Sequence, residues 1–166
     1  MPDETLLTLA NEVRGKTLRL LEAVPPDMVR YSGPGLNNSI LWHAGHALML
    51  VEHLCMIPAT GGEPAYPKGW FEMFGWKSVP ASIPRDAWPA LSDVIERLRE
   101  QLSRLRATIE PLTPQQLDRV VDANRNRTLR YSIVHGLHDE ASHQGEILLL
   151  KKLFGRQSAV NTSTGS

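Results

Sequence analysis

The sequence has a single cysteine, no excess of charge of either sign and no long apolar run. A lone cysteine, Cys55, excludes an intramolecular disulfide. Lys plus Arg number 18 and Asp plus Glu number 18, which removes the broad field that holds phosphate backbones or anionic lipid. The expected partner is therefore a small molecule, with no nucleic acid and no membrane. The longest unbroken apolar run, Ala47 to Val51, is far short of the ~20 residues of a spanning helix. The opening MPDETLL is acidic where a secretory leader is basic and then apolar, so a cytoplasmic location is expected. Cys55 lies among apolar neighbours and reads as a small buried hydrophobe rather than a nucleophile.

What is present is helical periodicity. Leu6, Leu9, Ala10, Val13, Leu20, Leu21 and Val24 share one side of a first helix, which Pro25 and Pro26 end. Asn38 or Ser39 caps a second helix from about Ile40 to Met56. A long, proline-rich connection from Ala59 to Pro84 carries Trp70, Phe71, Phe74 and Trp76, with one or two helical turns expected around them. A third helix is expected from Arg85 or Asp86 to Glu110, where Pro111 stops it. Thr113 to Leu117 forms a short turn, Asp122 to Arg127 a polar loop, and Leu129 to Phe154 a last long helix closed by Gly155. No segment alternates convincingly as a strand. The expected architecture is all-α: a four-helix bundle of up-down-down-up type, with a long crossover between helices 2 and 3. Residues 1–156 form one domain and 157–166 a flexible C-terminal tail.

All six histidines fall in two windows, His43 to His53 on the second helix and His135 to His143 on the last. Imidazole and carboxylate are good ligands for zinc, nickel, iron or manganese. At roughly 100° per residue, Asp139 and His143 are about 40° apart, with His135 and Glu146 on the same side. His138 lies about 140° from His143 and is not expected to share an ion with it, while Glu140 at about 60° remains open. Glu140, Gln144 and Lys151 then read as the solvent face. On the second helix, His46 and His53 share a face and His43 precedes His46 by three. Two accounts of the cluster stay open: a metal centre, or a buried hydrogen-bond network pairing Asp139 and Glu146 with His135, His143 or an arginine. Arg125, Arg127 and Arg130 are either a solvated group or a hold for an acidic ligand.

Trp42, His43, Gly45 and His46, followed on the last helix by His143, Gln144, Gly145, Glu146 and Ile147, resemble the motifs of the DinB/YfiT-like superfamily of metal-dependent four-helix proteins. The resemblance implies metal ligands at His46, Asp139 and His143, with His43 behind them. Most members carry histidine at the position of Asp139, and a branch similar to mycothiol-dependent maleylpyruvate isomerases carries glutamate there. It implies a divalent ion, zinc or nickel first and iron or manganese next. It also implies a low-molecular-weight thiol such as bacillithiol or mycothiol, transferred to a small electrophile. Metal-dependent hydrolysis is the alternative enzyme reading, and a non-enzymatic ligand-binding or dimerising bundle is the alternative outside catalysis. Tyr131, His135 and Glu146 are the candidates for orientation or proton transfer, Arg127 and Arg130 for holding the thiol, and a homodimer is the expected assembly.

Overall fold

The first two long helices start at a side chain that satisfies a free amide. Asp3 accepts the Leu6 amide at 3.0 Å and opens α1 (Glu4–Glu22). Ser39 accepts the Trp42 amide at 3.2 Å and opens α2 (Ile40–Val51). α2 runs without a break into a π-helical turn (Glu52–Met56) and then α3 (Ile57–Thr60), which Gly61 closes in a left-handed conformation. α4 (Trp70–Phe74) lies in the long connection, followed by two 3₁₀ turns. Then come α5 (Leu91–Ile109), α6 (Pro114–Leu117) with a Thr113–Gln116 capping box, an antiparallel pair β1 (Val120–Asp122) and β2 (Arg127–Thr128), and α7 (Leu129–Ser163). This computed structural model describes residues 1–163.

Three expectations need correction. The third long helix starts at Leu91, not at Arg85 or Asp86, because Pro89 disfavours helical geometry at Trp88, which sits extended at ψ 135°. The polar loop from Asp122 to Arg127 belongs to a small hairpin whose turn places Asn126 at φ 50°, a conformation asparagine tolerates. α7 continues through Gly155 to Ser163, since glycine only weakens a helix by ~1 kcal/mol relative to alanine and does not by itself end one. The tail expected over 157–166 is thus helical through Ser163, and 164–166 lie outside the described residues.

α1 packs on α5 and α7, and α2 packs on the same two helices. The apolar core falls into two clusters, one around Leu41, Leu48, Phe74, Leu98 and Leu150, the other around Leu6, Val51, Leu105, Leu129 and Ile133. The stretch Ile40–Thr60 is long and apolar enough to cross a membrane by length and composition, but 83% of that window is buried inside the protein. Its apolarity serves the core.

Along α1, α5 and α7 the two clusters are separated by a buried polar layer. Arg14 and Glu140, 1% and 0% exposed, pair through Nε to Oε1 at 2.8 Å and Nη2 to Oε2 at 3.0 Å. Thr17 donates to Glu140 Oε1 at 2.7 Å, and Gln144 donates to Thr17 Oγ1 at 2.9 Å. On the other side Arg14 donates to Gln101, which donates to Glu52 at 2.7 Å, and Arg104 completes the chain at 2.9 Å. Burial pushes the Glu52 carboxyl up, but the hydrogen bonds from Arg104, the Ala65 amide and Gln101 outweigh it and leave its pKa below the ordinary value. Glu140 and Gln144, expected at the solvent face, are therefore core residues. The inner stripe of α1 is Leu6, Ala10, Arg14, Thr17 and Leu21, and its two polar members need partners from α7.

Candidate metal centre

On α2 the residues Trp42, His43, Gly45 and His46 each have a distinct physical part. His46, 6% exposed, donates from Nδ1 to the Phe74 carbonyl at 2.5 Å. A carbonyl can only accept, so this bond fixes the tautomer and leaves the lone pair on Nε2. Gly45 permits it: a Cβ there would meet the Phe74 ring at 2.2 to 2.4 Å, so only glycine admits α4 this close to α2. Trp42 stacks on His46 with centroids 4.4 Å apart and planes 13° from parallel, and its indole N–H donates to Ser78 at 2.8 Å. His43, 5% exposed, meets His143 of α7 Nδ1 to Nδ1 at 2.8 Å, so one imidazole carries the proton and the other accepts it.

His143 also stands edge-on to His46, with centroids 4.7 Å apart. Asp139 acts on both electrostatically, drawing their pKa values up against burial. Burial dominates nonetheless. It lowers His46, pushes His43 down to about 3 with help from the His143 and His46 charges, and pushes His143 down to about 4 with help from His46. All three imidazoles are neutral at physiological pH, the form in which imidazole binds a metal.

One turn toward the start of α7, Asp139 meets two further histidines. Its Oδ2 lies 3.5 Å from His135 Nε2 and its Oδ1 lies 3.4 Å from His138 Nδ1. The ligand atoms of His135, His138 and Asp139 all fall within 4.8 Å of one another, close enough to hold one ion. His138 lies far around the helix from His143 but reaches the adjacent Asp139.

His46, His135, Asp139, Ser142 and His143 line an open cavity of about 400 Å³, walled by Leu50, Leu54 and Trp76 and rimmed by Arg125 and Arg127. Tyr131 stands beside it, 5.7 Å from the His135 ring and under the Arg127 guanidinium at 4.9 Å. Two expected residues are elsewhere. Glu146 is exposed and does not line the cavity, which ends at His143 along α7. Arg130 is tied to Asp3 and Asp118, facing the start of α1. His53 does not line the cavity with His46; it lies inside the π-helical turn and pairs with Tyr66 at 2.9 Å. Glu140, held by Arg14 and Thr17, is not available as a ligand.

The sequence gives no signal for the Phe74 carbonyl, because a backbone acceptor has no residue type. The place of Trp76 in the cavity wall depends on a loop whose course periodicity does not set.

A family model for the DinB superfamily matches residues 9–147. The chain belongs to the DinB superfamily. A search of curated proteins finds no match to it. The donor set of this DinB protein suits a divalent ion of intermediate softness: neutral imidazoles, one half-buried carboxylate and no thiolate. Cys55 takes no part, being fully buried against the Ile133 carbonyl with its thiol pKa pushed up by burial.

The depressed histidines set a pH dependence for the metal-free DinB protein. Unfolded, they take up protons near 6.5, whereas folded His43 and His143 do so only near 3 and 4. Below 6.5 the unfolded chain binds more protons, so stability is full above that pH and falls as pH drops toward 4. Urea unfolding at about pH 7.5 and about pH 5 should show this loss, and His43→Gln should reduce it. An undiminished loss in the variant would show that His43 does not contribute.

Proposed function

We propose that this protein holds a divalent ion, zinc or nickel first and iron or manganese next, between His46, Asp139 and His143. With it the protein transfers a low-molecular-weight thiol to a small electrophile. The observation that carries the reading is the cavity: neutral His46 and His143 and the Asp139 carboxylate all line it, beside an apolar wall able to seat an organic molecule. A divalent ion held by His46, Asp139 and His143 would supply Lewis acidity, which favours loss of a thiol proton near neutral pH.

The chain's own residues do the rest. The Phe74 carbonyl and His43 fix the two ligating rings from behind. His135, 3.5 Å from Asp139, accepts the thiol proton, and Tyr131 bounds the His135 ring on its outer side. Leu50, Leu54 and Trp76 offer the electrophile an apolar wall. In the transfer the S–H bond breaks, sulfur forms a bond to the electrophilic carbon, and a leaving group departs with its bonding pair.

The architecture we propose is the up-down-down-up four-helix bundle. Asp3 meeting Arg130 and Thr17 meeting Gln144 support α1 and α7 running the same way. His43 meeting His143 while Leu54 meets Ser132 supports α2 running against α7. Glu22 paired with Arg99, with Arg14 bonded to Gln101, supports α5 running against α1.

The test is to incubate zinc-loaded protein with a panel of cellular thiols and an alkyl halide reporter. Metal-dependent adduct formation with at least one thiol is expected. No rate above the zinc-only control for any thiol overturns thiol transfer, and ester cleavage under the same conditions would point to hydrolysis instead.

A further inference from the structure

Arg127 is an arginine without a carboxylate. Among the described residues its guanidinium makes no ion pair and no hydrogen bond, and it lies over the Tyr131 ring, 4.9 Å from the centroid. It is half-buried and lines the same cavity as His46 and His143. The other arginines around it are engaged: Arg130 with Asp3 and Asp118, Arg125 loosely with Asp122 at 3.7 Å. An arginine with its whole fork of donors unused, placed over an aromatic face, is set to receive a planar oxyanion.

The hairpin keeps it in place. The Arg125 amide donates to Asp122 Oδ1 at 3.2 Å, Asn126 takes the left-handed turn position, and β2 pairs with β1 at Thr128 and Val120. Arg127 therefore rests on a braced turn, and both it and Arg125 reach the cavity rim.

From this arrangement we infer that Arg127 is the specificity-determining residue of the cavity, and that the molecule taken there carries a carboxylate at one end of an apolar body. The carboxylate meets the Arg127 fork at the rim, the body lies along Leu50, Leu54 and Trp76, and the far end reaches His46 and His143. The apolar wall favours a hydrocarbon or aromatic body over a polyhydroxy one. A single unpaired fork, with Arg125 partly neutralised by Asp122, favours a monoanionic carboxylate over a phosphate dianion. This inference rests on the metal-centred reading above for the role of the far end, but not for the anion contact itself.

The experiment is calorimetric titration of zinc-loaded and zinc-free protein with three probes of one shape: 3-phenylpropanoate, its neutral amide, and the corresponding phosphate monoester. In wild-type protein the carboxylate should bind best, with the amide about tenfold weaker, the size expected for loss of a charge-assisted hydrogen bond. Arg127→Gln should lose about the same factor for the carboxylate and nothing for the amide, with zinc content and melting temperature unchanged. Arg127→Lys should recover part of the loss, because it restores the charge without the fork. Carboxylate binding that is equal in wild type and Arg127→Gln overturns the inference, as does preference for the phosphate, or no carboxylate binding to either form. Binding that needs zinc but not Arg127 places the carboxylate on the ion and overturns it too. Arg127-dependent binding in a protein that takes up no zinc upholds the anion contact while the metal-centred reading fails.

Discussion

Replacing His46 or His143 with alanine is expected to abolish stoichiometric metal binding. Wild-type protein dialysed against zinc should hold one ion per chain by elemental analysis, and each variant should lose it. A ligand contributes directly to the ion's coordination, so the loss should exceed the ~10–100-fold drop in affinity that follows removal of an outer-shell partner. His43→Ala should fall within that smaller range, because His43 touches His143 rather than the cavity. The control that decides between the two groupings on α7 is His138→Ala. His138 belongs to the trio with His135 and Asp139 but does not line the cavity. If the ion sits at His46, Asp139 and His143, His138→Ala keeps it. Loss of zinc in His138→Ala with retention in the His46 and His143 variants would move the ion onto the outer face of α7.

The second large effect is expected far from the cavity. Glu140→Ala leaves the Arg14 guanidinium buried without its carboxylate, and breaking a buried pair from one side costs about 3–5 kcal/mol. For a chain of this size the melting temperature should fall by roughly 6–20 °C. Arg14→Met combined with Glu140→Leu removes both charges and should recover part of the loss. Recovery stays incomplete because Thr17, Gln101 and Gln144 would still face the gap with fewer partners. A Glu140→Ala variant that unfolds at the wild-type temperature would mean that water or a rearranged Gln101 satisfies Arg14, and the buried pair would lose its assigned role.

The helices were legible because their signals are local. Ser39 caps where a capping residue stands, and the apolar stripe of α5 contains Val94, Ile95, Leu98 and Leu105 as periodicity requires. His46, Asp139 and His143 were reached through motif and spacing, and the fold brings all three to one cavity. Glu140 was misread because a charged residue beside a glutamine and a lysine looks solvated unless its partner is known, and that partner lies 126 residues away. The first-helix stripe held the clue, since Arg14 and Thr17 occupy the positions between Ala10 and Leu21. The π-helical turn that contains His53 is announced by no single residue type, and the pairing of His53 with Tyr66 depends on the course of the long connection.

Asp139 and Glu140 are neighbours in the chain, yet one looks into the cavity and the other is locked against Arg14 in the core. Together with Gln144, which donates to Val13 and Thr17, that lock acts on α7 as a key acts on a shaft. A helix packed only by greasy side chains can roll by some degrees while keeping its contacts, but one carrying a bidentate ion pair has a single rotational phase. The angle at which α7 offers Asp139 and His143 to α2 is thus cut into its opposite side, by residues that never see what the cavity holds.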